Sequence, residues 1–451
     1  MKRWSQLRGS RLHGSRLHQL HRIHGLCLVL VGASACNSRD EPAPAPEAFN
    51  APLAPDGNGA ASAPTAPSSP SDSAPVPSAA SPSPTEGIAV AGRADGMPNG
   101  AAANAEESTT PETEPMPPAS EPPGAVDPGN AGDGDFVIDT FAMQPELSNR
   151  GAPMGRSFSF TMDSTTSTIF AGNDPTLQAA KPRLLTRNIA VYVPARYVDG
   201  TKAPILVIQD GPGAGQRNGQ VDAVNRALDN LTASTDPARK LPAFLSIAVQ
   251  NGGNDAQGSE RGLEYDTLSD RYARFVQLEV LPAVLADPQI RAAYPALAIT
   301  DDPEGKATLG CSSGGAAAFT MAWFRPDLFR RAITYSGTFV AQQTNGQPEA
   351  AEYPLGAWEY HSSKRLIENS AAVLPIRVFL NVNGMDNGYN APESGYHNWV
   401  LANQHMAAAF KAKGYHYRFV TAQGIGHCDA RAWQATLADT LVWAWAGYPT
   451  N

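Results

Sequence analysis

From residue 136 to the C-terminus, short apolar runs alternate with stretches at helical spacing. Asn188-Ile189-Ala190-Val191-Tyr192-Val193 alternates and is stopped by Pro194, as a strand would be. Residues 204–209 form a continuous apolar run ending in Asp210-Gly211-Pro212-Gly213, and residues 244–249 form another ending at Asn251-Gly252-Gly253. Continuous runs of this length fit strands buried on both faces of a parallel sheet. Further strands are predicted over 307–310, 332–335, 376–381 and 417–421, and helices over 315–324, 399–413 and 433–445. A helix is also predicted over 268–285, with Thr267 and Asp270 spaced like a capping box. Such alternation predicts an α/β fold whose mostly parallel central sheet is covered by helices on both faces. Reactive residues are then expected on loops beyond the C-terminal strand ends.

Upstream of residue 136 this patterning is missing. Residues 37–135 are dominated by Ala, Pro, Ser, Gly and Glu, with Phe49 the only aromatic, and are expected to form a disordered acidic linker. They hold fifteen Asp or Glu against two Arg. The first 36 residues carry six basic side chains and no acidic one. With +6 and −13 in these two segments, the overall −9 leaves only −2 for residues 136–451, the expected catalytic domain. The acidity thus belongs to the linker, and no basic stripe suggests a nucleic-acid partner.

Residues 1–36 read as an export signal: a basic, His-rich start, the apolar run 26–31, then Gly32-Ala33-Ser34-Ala35-Cys36. The apolar run is too short to span a bilayer. Ala33-Ser34-Ala35-Cys36 resembles a bacterial lipobox, in which Cys36 would be lipidated and anchor the protein at a membrane. The alternative is an ordinary cleavage site after Ala35 that releases a secreted protein. The expected location is the periplasm or the cell surface.

Candidate chemistry begins at Gly310-Cys311-Ser312-Ser313-Gly314. A G-x-S-x-G string is weak by itself in a chain with 40 Gly. Here a strand-like segment precedes it and a helix-forming one follows, the context of a nucleophile elbow. Ser312 is the candidate nucleophile and needs a base to take its proton. Of nine His, His13, His18, His21 and His24 fall in the leader, while His361, His397, His405 and His416 lie on polar loop or helical stretches. His427 follows a predicted strand on the Gly-flanked loop Gly424-Ile425-Gly426 and is the preferred base. Asp386, after Asn383-Gly384-Met385, is the preferred orienting acid and gives the chain order Ser, Asp, His; Glu393 on the same loop competes with it.

The N–H of Ser313 is the expected first donor to a tetrahedral oxyanion, with Asp210 or Gly211 supplying a second. Gly213 and Gly215 read as turn residues. Outside the leader only two cysteines remain, Cys311 beside the candidate nucleophile and Cys428 beside the candidate base. If Ser312 and His427 are hydrogen-bonded, Cys311 and Cys428 come within disulfide range, and export permits oxidation. The other reading is two buried thiols.

These residues resemble the esterase family that includes esterase D and the enterochelin (siderophore) esterases. The resemblance rests on Val191-Tyr192-Val193-Pro194, Val207-Ile208-Gln209-Asp210-Gly211, Glu260-Arg261-Gly262-Leu263-Glu264-Tyr265, and the run from Gly310 through Trp323-Phe324-Arg325-Pro326-Asp327-Leu328-Phe329. It covers residues 187–445 and implies an α/β-hydrolase domain with a Ser-Asp-His triad, no metal and no cofactor. It also implies that Arg261, with Glu264 nearby, holds an anionic substrate; the alternative pairs Arg261 with Glu264 or Asp266 at a helix start. The Cys-Ser, Asp, His-Cys arrangement is similar to that of tannase-type feruloyl esterases and glucuronoyl esterases. The function these readings imply is hydrolysis of a small siderophore, phenolic or sugar ester. Acyl transfer on the same residues, or a non-catalytic binding lipoprotein, are the competing functions. Trp358, Tyr360, Tyr389 and Trp399 are candidates for an aromatic wall or for packing.

Overall fold

The computed structural model describes residues 124–450 apart from 175, 178–183, 213–215 and 254–256, and the side chains of 216–218. The expected export signal with Cys36, most of the expected linker, and Gly213 and Gly215 lie outside the described residues.

Nine strands form one sheet: β1 (Gly134–Ile138), β2 (Arg156–Asp163), β3 (Thr186–Val193), β4 (Ile205–Gln209), β5 (Leu245–Val249), β6 (Lys306–Cys311), β7 (Arg331–Tyr335), β8 (Arg377–Met385) and β9 (His416–Gly426). Their order is β1-β9-β8-β7-β6-β4-β5-β3-β2. The seven strands from β1 to β5 in that order pair in parallel, and β3 and β2 close one edge antiparallel. The principal helices are α1 (Gln216–Thr232), α2 (Glu260–Tyr265), α3 (Arg271–Phe275), α4 (Leu281–Ala286), α5 (Ser313–Phe324), α6 (Trp399–Lys413) and α7 (Ala430–Ala444).

The continuous apolar runs are explained by cover on both faces. Ile205 and Val207 pack on one side of the sheet with residues of α3, α5 and α6, including Phe275, Phe319 and Phe410. Leu206 and Ile208 pack on the other side with Val224 and Leu228 of α1 and Leu437 and Leu441 of α7. Alternate side chains of a pleated strand point to opposite faces, so a strand sandwiched in this way is apolar on both faces over most of its length. This is the α/β-hydrolase arrangement that the resemblance implied. The sheet order runs outward in two directions from the β6–β4 pair, which makes the carboxyl ends of these strands the topological switch point.

Two expectations are corrected. The single helix over 268–285 is α3 and α4 joined by a wider π turn (Val276–Val280). Pro282 has no N–H for the carbonyl of residue 278, and the Leu281 N–H just before it reaches back five residues to Val276. The capping box also fails: Asp270 makes no cap bond, because its carboxylate accepts from Arg274 Nε at 2.9 Å.

The linker was expected to reach residue 135, yet the described chain already joins the body ahead of it. Val126 N–H donates to Gly447 O at 2.8 Å, and β1 pairs along β9 from Gly134↔Arg418 to Ile138↔Ala422. Asp133 accepts from Trp443 Nε1 at 3.0 Å and lies 2.9 Å from His416 Nδ1. These attachments are backbone ladders and polar contacts; Phe136 and Val137 stay exposed, so hydrophobic patterning carries no sign of them.

Candidate active site

The corner between β6 and α5 is built without room for side chains. Ser312 sits there at φ 60°, ψ −133°, outside the regions favoured by L-residues. A Cβ on Gly310 would lie 2.2 Å from Gly314 O, and one on Gly314 would lie 2.9 Å from Asp210 Oδ2. The turn is fastened by Ser312 N–H donating to Tyr335 O at 3.0 Å and by Thr338 N–H donating to Ser312 O at 3.1 Å. Ser312 is thereby held by two parallel strands and the residues that leave them. Ser313 opens α5, where first-turn N–H groups have no acceptor within the helix.

β8 and β9 run past their neighbours and slip in register between Asn383 and Met385, so that Met385 stands opposite Gly426. The slip presents Asp386 and His427 beside Ser312. Ser312 Oγ is 2.9 Å from His427 Nε2, and His427 Nδ1 is 2.5 Å from Asp386 Oδ1. A proton on Nδ1 leaves Nε2 free to accept the serine hydroxyl, and a carboxylate there stabilises the imidazolium that results. Asp386 is fully buried, while Ser312 and His427 are half-buried and reachable. Glu393 does not join them: it is exposed, and its carboxylate is 3.9 Å from His405 Nδ1. His361, buried with Nε2 at 2.9 Å from Phe339 O, is pushed by burial down to about 3 and stays neutral.

Three residues that sequence reasoning did not single out surround the acid and Ser312. Ser336 Oγ donates to Asp386 Oδ2 at 2.6 Å and accepts the Cys428 N–H at 3.2 Å. Asn383 donates its N–H to the same carboxylate oxygen at 3.2 Å and its side-chain amide to Gly426 O at 2.5 Å. Thr338 Oγ1 lies 3.4 Å from Ser312 Oγ and accepts from Trp399 Nε1 at 3.2 Å. Each is a small or amide residue, Ser336 and Thr338 just past β7 and Asn383 near the end of β8, and only the strand order makes them neighbours. Trp399, read as packing, is buried yet turns its ring edge-on to His427, with centroids 6.0 Å apart. Trp358 and Tyr360 are core residues, and Tyr389 is exposed.

Cys311 and Cys428 form a disulfide with their Cα atoms 6.2 Å apart. The bridge joins the strand end before Ser312 to the turn after His427.

The readings of Asp210, Arg261 and Glu264 change. Asp210 N–H donates to Tyr265 Oη at 3.0 Å, so of the two donors considered on this loop it is Gly211 that keeps its N–H available. Arg261 is not open to a substrate, and neither of its expected partners holds it. Its Nε and Nη2 donate to the two oxygens of Asp210 at 2.8 and 2.9 Å, with the side chains 4% and 1% exposed. Glu264 is likewise buried, 2.5 Å from Arg187 Nη1, and accepts the Gly252 N–H at 3.2 Å. Glu260 stands 3.7 Å from the same guanidinium, beyond hydrogen-bond range. Burial, and then the charge of Glu264, raise Glu260 from its usual 4.5 to about 8. A single buried cation shared by two carboxylates leaves one of them protonated.

Among the described residues no group of three or more His, Cys, Asp or Glu is arranged to hold a metal ion. A cavity of about 490 Å³ between α1 and α7, lined by Tyr192, Asp229 and Trp433 among others, shares no residue with the Ser312–His427–Asp386 chain.

Residues 185–444 match the family model described as "Putative esterase". No curated protein matches the chain. Among solved structures, a ferulic acid esterase aligns at 17% identity over 64% of this chain and 97% of its own, with a TM-score of 0.43. The enterobactin esterase of Shigella flexneri aligns at 16% identity over 67% of this chain and 63% of its own, with a TM-score of 0.45. The ferulic acid esterase of the anaerobic fungus Anaeromyces mucronatus aligns at 11% identity over 69% of this chain and 100% of its own, with a TM-score of 0.43.

Replacing both Cys311 and Cys428 by Ser opens a loop spanning 117 positions and is expected to cost about 2–5 kcal/mol of stability. Urea unfolding of the oxidised and the doubly substituted protein measures the difference. Glu260→Gln has a pH signature. A folded-state pKa raised from 4.5 to about 8 means that wild type loses stability as pH rises through this interval, because the folded form holds a proton that the unfolded form releases. The amide stands in for the protonated acid. Glu260→Gln is therefore expected to match wild type below pH 4 and to melt at progressively higher temperature than wild type up to pH 8. Equal melting curves at pH 8 would contradict the buried, protonated state.

Proposed function

Because the chain belongs to the "Putative esterase" family and is a carboxylic-ester hydrolase, we propose that it acts through an acyl-enzyme on Ser312, with His427 as general base and acid and Asp386 as the carboxylate that orients it. The observation that carries this reading is the unbroken hydrogen-bond chain from Ser312 Oγ through His427 to Asp386. Ser312 Oγ attacks the ester carbonyl carbon as its proton passes to His427 Nε2. The tetrahedral oxyanion is met by the N–H groups of Ser313 and Gly211. Collapse expels the alcohol, which takes the proton from His427. Water, activated by the same imidazole, then releases the acid.

The substrate in this reading is a small siderophore, phenolic or sugar ester. Exposed Tyr389 and Tyr396, on the loop that leaves Asp386, support a substrate with a ring to stack against. Tyr389 is tied to the acid through its N–H, which donates to Asp386 O at 3.1 Å. Export is part of the same proposal: the leader and Cys36 support a lipid-anchored protein, and the Cys311–Cys428 disulfide suits an oxidising compartment.

A fluorophosphonate probe is expected to label wild type and not Ser312→Ala, and Asp386→Asn is expected to lower kcat by about 10³–10⁴-fold. Labelling of Ser312→Ala at the wild-type level would sink the acyl-enzyme. Hydrolysis of p-nitrophenyl acetate, methyl ferulate, a glucuronate ester and a catecholate siderophore by wild type sorts the substrate class. Cys36→Ser is expected to move the protein from the membrane fraction to the soluble one; retention in the membrane would remove the lipid anchor.

A further inference from the structure

The segment Glu260–Tyr265 has no part in the reaction as described, although it is wholly buried and ionic. It forms α2, capped by Ser259 Oγ accepting the Gly262 N–H at 2.9 Å. Three of its side chains reach the loops that leave β4 and β5. Arg261 grips both oxygens of Asp210, Tyr265 Oη accepts the Asp210 N–H, and Glu264 accepts the Gly252 N–H. Asn251, beside Gly252, donates its side-chain amide to Asp210 as well. Asp210 is held in the left-handed region at φ 62°, which few L-residues other than Asn and Asp adopt.

Two consequences follow for the oxyanion. The next residue is Gly211, so the clamp on Asp210 fixes the direction of the Gly211 N–H. The Asp210 carboxylate also lies against the first turn of α5, close enough that Gly314 has no room for a Cβ. A negative charge there opposes an oxyanion forming at the same helix end, unless a cation cancels it.

We propose that Arg261 is a positioning residue for ester hydrolysis: through its two-pronged grip on Asp210 it aims the Gly211 N–H at the oxyanion and neutralises the carboxylate beside it. The inference rests on the Ser312 acyl-enzyme. Arg261 touches no reacting atom; its effect reaches the transition state by way of the loop and the charge. A lysine can neutralise but cannot hold both oxygens in plane, so it replaces part of the function.

The test uses Arg261→Gln, Arg261→Lys, Asp210→Asn and the neutral pair Arg261→Gln/Asp210→Asn, with active sites counted by fluorophosphonate. For p-nitrophenyl acetate, Arg261→Gln is expected to lower kcat per counted site by about 10²-fold, the scale of one lost oxyanion donor, and to leave KM within about threefold. Affinity for an alkyl boronic acid, a mimic of the tetrahedral intermediate, is expected to fall with kcat. Arg261→Lys and the neutral pair are both expected to exceed Arg261→Gln, the first by restoring charge and the second by removing the buried carboxylate charge that Arg261 offsets. If Arg261→Gln does not fold, Arg261→Lys and Asp210→Asn carry the same comparison. Wild-type kcat per counted site and wild-type boronate affinity, with only the melting temperature reduced, would overturn the proposal. Ser312→Ala separates the two failures: its full labelling removes the acyl-enzyme itself, whereas its silence beside an unimpaired Arg261→Gln removes only the positioning role.

Discussion

The corner at Ser312 depends on backbone-to-backbone contact. Gly310, Gly314 and Gly315 let the end of β6 and the first turn of α5 approach so closely that a single methyl group on Gly310 would overlap the carbonyl of Gly314. That closeness lets a serine adopt φ 60° and stand clear of both strand and helix. The strain is met by hydrogen bonds from outside the corner, through Tyr335 and Thr338. Everything that approaches Ser312 does so on elements anchored to the same central strands. The imidazole comes from the end of β9, the carboxylate from the end of β8, and the disulfide ties the first of these to β6.

Below the corner the molecule keeps its charges in pairs and out of water. Arg261 with Asp210, and Arg187 with Glu264, lie under the loops that follow β4 and β5. Buried pairs of this kind contribute little net stability compared with apolar packing, but removing one partner strands a charge. Their effect is better understood as fixing one arrangement of loops that otherwise have little apolar surface to hold them. The Asp386 carboxylate follows the same rule, with His427, Ser336 and the backbone of Asn383 and Asn387 filling its acceptor positions.

The sheet itself was legible in the sequence. The continuous apolar runs at 204–209 and 244–249 correspond to β4 and β5, the run at 307–310 to β6, and the helix at 399–413 to α6 with the same limits. In these segments burial on both faces, or on one face of a helix, writes itself into the order of residues. β1 and β2 left no such mark, because they lie at the sheet edges where pairing is enough and side chains face water. α1 was missed for a different reason: it is rich in Asn, Asp, Gln and Arg, and polar residues such as Gln220, Asp229 and Thr232 are buried beside Val224, Leu228 and Leu231, which blurs the apolar pattern.

Residue identity and chain order alone singled out Ser312, Asp386, His427 and the two cysteines, since each carries a distinctive chemistry beside a strand end. The partners of Arg261 and Glu264, and the direction of the Asp210 N–H, were decided only in three dimensions. A guanidinium 51 residues from its carboxylate cannot be assigned by spacing, and the nearer acids at 264 and 266 look just as suitable on paper. Ser336 is the plainest case. Nothing distinguishes it from the other serines of the chain until β7 lies between β6 and β8 and turns its hydroxyl onto Asp386. Local sequence determines which groups can react and which segments can be buried; the sheet order determines which of them meet.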